Sequence, residues 1–241
     1  MTGREQTPGN ACVAGLLAGL ELAGEPRMAF VRRAPAGLAG EPGTLLCLSA
    51  SFNPITVAHV RLIDEASRLV PPDEVLLLLA RANVDKGAEG FCLEKRLAIL
   101  ARFAESRSTY SVAAVSHGRF VDKARAILSQ YPSGTRLVFI VGLDTLVRLF
   151  DPKYYDDREA ALAALFATCE FIAANRAPEP PEAIGAFLRR PEVVPFAHAI
   201  RSIRLPAEIA AISATEVRRR LADGRSTAGL VPPEIQPLLH H

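Results

Sequence analysis

Two separated stretches hold residue types suited to gripping phosphate. The first is Ser49-Ala-Ser-Phe-Asn-Pro-Ile-Thr-Val-Ala-His59, which follows an apolar run and leads into a helical pattern. A strand-to-helix junction aims unpaired backbone N–H groups and the positive end of the helix dipole at a ligand, which suits an anion. Ala50 and Ser51 are small enough for close approach, and Thr56 suits the N-cap. His59, in the first turn, could donate to a phosphoryl oxygen as negative charge grows in a transition state. The same residues also suit a plain capped helix with a polar first turn. The second stretch is Ile212-Ser-Ala-Thr-Glu-Val-Arg218. Ser213 followed three residues later by Glu216 spells a capping box. Thr215 adds a hydroxyl, and Arg218, Arg219 and Arg220 supply guanidinium forks that can hold phosphate with two bonds.

Weaker candidates lie between them. Phe139-Ile-Val-Gly-Leu-Asp-Thr-Leu146 places Gly142 at a strand end, where a ligand can approach the backbone. Asp144 is expected to cap the next helix, and on these residues alone a plain strand–turn–helix is the stronger reading. Lys86 sits in the polar loop 83–90, where a charge is either solvated or waiting for an anion. Tyr154 and Tyr155 offer aromatic faces after the third motif.

Positioning these residues requires an α/β framework. Short apolar runs at 28–31, 45–49, 75–79, 110–115, 137–141, 169–174 and 199–205 read as strands. Helical periodicity occupies residues 57–69, 93–105 and 121–129, and a helix after Ser213 runs to about residue 222. A further helix from about residue 11 is expected to end near Gly24. From Thr44 onward strands alternate with helices, which predicts a mainly parallel, Rossmann-like sheet with right-handed crossovers and helices on both faces. Ligands bind such sheets beyond the carboxyl ends of the strands, so the loops 49–59, 80–90 and 142–145 are the places to look. Residues 34–43, rich in Gly and Pro, read as a linker. Residues 1–43 are therefore expected to be an appendage, and residues 44–241 the main domain.

Of the 241 residues 49% are apolar, and the formal charge of +2 carries no single-sign block. Nothing global points to a nucleic-acid or membrane partner, so an anion site must be local. Cys12, Cys47, Cys92 and Cys169 are far apart, with no ligand-spaced pair, and all four are expected to be small buried residues in a reducing cytosol. The segment 11–20 has the length of a signal-peptide core, but Val13, Leu16, Leu17 and Leu20 follow helical spacing, which predicts a helix instead. Neither G-x-G-x-x-G nor G-x-x-x-x-G-K-[ST] occurs. His240 and His241 are set aside as terminal.

The first stretch resembles the G-x-F-x-P-x-H/T-x-x-H signature of the nucleotidylyltransferase superfamily, in the G-S-F-N-P-I-T-x-x-H form of nicotinamide mononucleotide adenylyltransferases. The second resembles that family's I-S-S-T-x-I-R motif, and residues 224–235 look like its closing tail. The likeness spans roughly residues 44–235. Ala50 and Ala58 stand where many members carry Gly, and Ala214 replaces a Ser. The resemblance implies that Ser51 and Phe52 give backbone contacts to phosphate and that His59 stabilises the transferring group. It places Ser213, Thr215 and Arg218 on the triphosphate, Gly142 and Asp144 on the adenosine side, and Lys86 on the acceptor phosphate. Relatives often stack the pyridine ring on tryptophan, and this chain has none. Tyr154 or Tyr155 is the expected substitute.

The reaction so implied joins AMP from ATP to nicotinamide or nicotinate mononucleotide, with Mg²⁺ held mainly by ATP and water. Alternatives are adenylyl or cytidylyl transfer to another small phosphate such as phosphopantetheine, or a non-catalytic nucleotide sensor. A homo-oligomer is compatible with all of these.

Overall fold

The computed structural model describes residues 10–83, 90–175 and 182–240. Their sheet has seven strands: β1 (Met28–Arg32), β2 (Thr44–Ser49), β3 (Glu74–Ala80), β4 (Tyr110–Val115), β5 (Arg136–Gly142), β6 (Cys169–Ala174) and β7 (Ile200–Ile203). The order across the sheet is β1-β4-β3-β2-β5-β6-β7. All neighbours are parallel except β1, which closes the β4 edge antiparallel, with Met28 opposite Val115.

The helices are α1 (Asn10–Ala18), α2 (Val57–Leu69), α3 (Leu93–Ala104), α4 (Phe120–Leu128), α5 (Leu143–Leu149), α6 (Arg158–Phe166), α7 (Ala183–Leu188), α8 (Ala207–Ala210) and α9 (Ala214–Ala222). Both sheet faces are buried, which is why the strands read as unbroken apolar runs rather than alternating ones. Leu46 and Leu48 of β2 face a core with Ile63 of α2, Leu97 and Phe103 of α3, and Val217 of α9. Leu45 and Cys47 face the other core, with Ala124 of α4, Leu146 of α5 and Leu162 of α6. No helix among the described residues is long and apolar enough to cross a membrane.

The strand order reverses at β2. From β2 the chain winds through β3 to β4, then crosses back to lay β5 on β2's other side. The crevice beyond the carboxyl ends of β2 and β5 is thus the switch point, where open α/β sheets bind ligands. The loop after β2 carries the first motif, and the turn after β5 carries Gly142 and Asp144.

Several sequence expectations are corrected. The first helix stops at Ala18, well before Gly24. Arg81, from the end of β3, donates to the carbonyls of Leu17 and Leu20 at 2.8 and 2.6 Å and so satisfies the helix end from a distance. The seventh strand begins at Ile200, because residues 194–199 form a 3₁₀ turn. Cys47 and Cys169 are buried free thiols, but Cys92 is exposed at the N-cap of α3. The Cys12 side chain and His241 lie outside the described residues.

Residues 34–43 do not behave as a plain linker. Ala34 and Leu38 are buried. The Leu38 N–H donates to Glu74 Oε2 at 2.7 Å, and the Tyr131 hydroxyl donates to Oε1 at 2.5 Å. Glu74 is fully buried at the start of β3. Gly37 passes so close that a Cβ there would lie 2.2 Å from Glu74 Oε2. Glu74→Ala would leave two buried donors unsatisfied and is expected to cost about 2–3 kcal/mol of unfolding free energy, with Glu74→Gln retaining part of it. Urea denaturation checks this, and a loss under about 1 kcal/mol for the alanine variant would remove Glu74 as the anchor of this segment.

Candidate active site

The loop from β2 to α2 is shaped by its own backbone. Phe52 has φ 40°, a left-handed conformation that costs a side-chain-bearing residue energy and clusters at functional sites. The Asn53–Pro54 peptide bond is cis. Phe52 is buried, with its ring centroid 5.2 Å from that of His59. Thr56 is the N-cap of α2, as expected. Leu230 reaches in from the tail and accepts the Val57 N–H at 3.0 Å, so the tail seals the base of the helix start.

His59 occupies the third position of α2. Its Nδ1 accepts the Thr56 backbone N–H at 3.0 Å and lies 2.8 Å from Thr56 Oγ1. A backbone N–H can only donate, so Nδ1 carries the lone pair and the neutral ring holds its proton on Nε2. The cap thus fixes both the tautomer and the ring plane. Such an Nε2–H is a donor suited to a phosphoryl oxygen.

The late motif meets this loop. Ser213 is the N-cap of α9, and its Oγ accepts the Glu216 N–H at 3.2 Å. The reciprocal half of the expected capping box gives way to ion pairs: the Glu216 carboxylate is taken by Arg219 and Arg220, which hold it below the usual range. Those pairs occupy two of the three consecutive arginines. Arg218 instead donates from Nη1 to the Asn53 carbonyl at 2.9 Å, and its Nη2 lies 3.4 Å from Thr215 Oγ1. One guanidinium therefore joins two motifs 165 residues apart. Asn53 Oδ1 accepts the Phe91 N–H at 3.0 Å, which ties the start of α3 to the same point. Gly90, at φ 97°, packs so tightly here that a Cβ would lie 2.5 Å from both Arg218 Cδ and Asn53 Oδ1.

Sequence reasoning missed Arg96. Lying on α3, it is 5% exposed, and its Nε donates to the Phe91 carbonyl at 2.6 Å. Burial lowers its pKa, and the nearby Arg218 lowers it further. No acid partner joins either guanidinium among the described residues, so their repulsion favours an anion between or beside them. An Arg inside an amphipathic helix reads as surface charge, and only its helical phase, one residue before Leu97, hinted otherwise.

Gly142 ends β5, and the register Leu48↔Ile140, carried two residues on, brings it level with Ala50. A Cβ at Gly142 would lie 2.7 Å from Asp144 Oδ1. Asp144 is not the cap. Gly142 takes that position, and Asp144 sits in the first turn of α5 with its carboxylate on Arg148 at 2.9 Å. Tyr154 is 44% exposed. Tyr155 is half-buried and donates its hydroxyl to the Leu149 carbonyl at 2.7 Å. Burial raises its pKa, with Arg119 opposing. Ser51, Phe52, Thr56, His59, Ser213, Thr215 and Arg218 thus gather on the α2–α9 side of the sheet. Gly142 and Asp144 stand at the crevice, and the tyrosines follow α5 on the other side. Lys86 lies outside the described residues.

A family model described as cytidylyltransferase-like matches residues 48–220. The chain is 32% identical over 136 residues to a protein of Schizosaccharomyces pombe named as a nicotinamide mononucleotide adenylyltransferase, covering 54% of this chain and 52% of that one. It is 30% identical over 135 residues to a protein of Geobacter sulfurreducens named as a nicotinate-nucleotide adenylyltransferase, covering 54% of this chain and 59% of the relative. The chain thus spans between half and three fifths of these two. In fold, it is similar to Plasmodium falciparum nicotinic acid mononucleotide adenylyltransferase complexed with NaAD. The TM-score is 0.59 at 18% identity, covering 81% of this chain and 93% of that one.

Proposed function

This chain belongs to the cytidylyltransferase-like family, and we propose that it transfers the adenylyl group of ATP to the 5′-phosphate of a pyridine mononucleotide. The products are a dinucleotide and pyrophosphate. One observation carries the chemistry: the Arg218 guanidinium on the Asn53 carbonyl, which draws the triphosphate-type motif and the His59 loop together at the switch point. The names of the relatives support the choice of acceptor.

In the proposed step an oxygen of the acceptor phosphate attacks the α-phosphorus of ATP in line. The bond from that phosphorus to the α,β-bridging oxygen breaks, and pyrophosphate carries the electron pair away. No covalent enzyme intermediate is required, so catalysis is positioning plus charge stabilisation. His59 Nε2–H donates to an α-phosphoryl oxygen. Arg218 grips the departing phosphates, with Arg96 adding positive potential behind it. Backbone at Ser51 and Phe52, with Ser213 and Thr215, completes the phosphate cradle. Gly142 lets the adenosine approach the end of β5, and Asp144 is offered to it.

Among the described residues no group of three or more His, Cys, Asp or Glu is placed to hold a metal ion. The donor set that fits Mg²⁺ is the triphosphate itself with water, as that ion keeps several waters. It would supply neutralising charge on the phosphates. The buried free thiols Cys47 and Cys169 fit a reducing cytosol as the place of work.

The direct test measures pyrophosphate release from ATP and Mg²⁺ with nicotinate mononucleotide, nicotinamide mononucleotide, phosphopantetheine or no acceptor. Release that depends on a pyridine mononucleotide is expected. Release with phosphopantetheine alone would keep the mechanism and replace the acceptor.

A further inference from the structure

Lys123 has no place in the phosphate machinery, yet it is only 3% exposed. Its ammonium lies over the Phe120 ring, 4.5 Å from the centroid. Among the described residues it forms no ion pair and no hydrogen bond. The one carboxylate beside it on the same helix, Asp122, is taken by Arg119 at 2.9 Å. The charged and titratable groups that bear on it from elsewhere are Cys47 of β2 and Arg148 of α5, neither a counter-ion at neutral pH. Buried ammonium groups are almost always paired, because leaving one alone in a low-dielectric interior is costly.

Its position says what could pair with it. Cys47 of β2 pairs with Phe139 of β5, which pairs with Phe171 of β6. Phe120 packs on both of those phenyl rings, at 5.0 and 5.5 Å. Lys123 therefore sits over the row of the sheet that holds Cys47, one pleat below the carboxyl edge at Ser49 and Val141. Helix α4 starts at that edge, and helical side chains lean back toward the helix N-terminus. The ammonium thus underlies the β2/β5 crevice on the α4–α5 side, opposite the side that gathers His59 and Arg218. That is the side of Tyr155 and of Arg119, which lies close enough to oppose the burial-driven rise in the tyrosine's pKa. A mononucleotide whose phosphate is held on the α2–α9 side would send its base over the strand ends toward Lys123.

We propose that Lys123 is the specificity-determining residue of the acceptor site, its ammonium receiving the ring carboxylate of nicotinate mononucleotide in preference to the carboxamide of the amide form. The inference rests on the adenylyl transfer proposed above. Burial pushes the lysine down to about 8, so it is still mostly charged at neutral pH, and an arriving carboxylate would hold it charged.

The test compares kcat/KM for the acid and amide mononucleotides in the wild type, Lys123→Met and Lys123→Gln. The wild type is expected to favour the acid at least tenfold. Both variants should lower the acid-to-amide ratio at least tenfold, through the KM of the acid. Met fills a similar volume without the charge, so its unfolding midpoint should equal or exceed that of the wild type. The wild type alone offers a second readout: calorimetric affinity for the acid should fall as pH rises above about 8, and that for the amide should not. A wild-type ratio near one, a ratio unmoved by both variants, or a pH response shared by both acceptors would overturn the role of Lys123 and leave adenylyl transfer standing. No turnover of either mononucleotide by the wild type would overturn the acceptor reading and this inference with it.

Discussion

His59→Ala will lower kcat for adenylyl transfer by about 10²–10³-fold, the loss typical of removing one donor aimed at developing charge. The structure separates this from a packing effect. His59 does two things at once: Nδ1 satisfies the Thr56 backbone N–H, and the ring presents a proton on Nε2. Alanine removes both, so it should also cost about 1 kcal/mol of stability through the lost cap contact. His59→Asn separates the two roles. An asparagine oxygen can still accept at the start of α2, but the side chain is too short to place a donor where Nε2 stands. Its unfolding midpoint should therefore lie nearer the wild type, while its rate falls as far as that of alanine. Steady-state rates paired with thermal unfolding decide the matter. If either variant keeps more than a tenth of wild-type kcat, His59 has no place in the transition state. If the wild type itself turns nothing over and both variants keep its response to ATP, a nucleotide sensor becomes the better description.

Arg218→Met will raise the KM for ATP and lower kcat/KM by about 10²-fold, and its affinity for pyrophosphate will fall in parallel. Affinity for AMP, which lacks the outer phosphates, should change far less. Arg218→Lys should recover only part of the loss. An ammonium is a point charge and cannot hold the Asn53 carbonyl and a phosphate with one planar fork. Removing Arg218 also relieves its repulsion of Arg96, which lowers the pKa of the buried Arg96. The unfolding midpoint is thus expected to hold despite the lost bond. Calorimetry with ATP, pyrophosphate and AMP gives the pattern. Equal losses for all three ligands would mean that Arg218 only shapes the loop, through Asn53, and does not touch the phosphates.

The residues that the chain announces most clearly are those whose partners are local. Thr56 and Ser213 cap the helices that their spacing from apolar runs had placed, because an N-cap needs only the next turn. The runs in β2, β3 and β5 are legible because strands buried on both faces must be apolar at every position. Asp144 misled for a related reason: Gly142, Leu143 and Asp144 all lie near a helix start, and the choice of cap depends on how β5 ends.

From its sequence alone the chain is an α/β protein with two phosphate-type motifs, each opening a helix, and an expected role for His59 and Arg218; the structure puts the short helix α8, not a strand, directly before the second motif. Periodicity and capping are short-range physics, carried within a dozen residues. Tertiary structure alone decided the rest. It set β2 at the centre and β1 antiparallel at the edge, since strand order depends on crossovers that no local pattern encodes. It put Arg218 on Asn53 and sent Arg219 and Arg220 to Glu216, choices made by which surface faces the loop. It buried Arg96, Glu74 and Lys123, which composition would assign to solvent. Burial of a charge is a property of the packed chain, because only the assembled faces of a sheet can take water away from it.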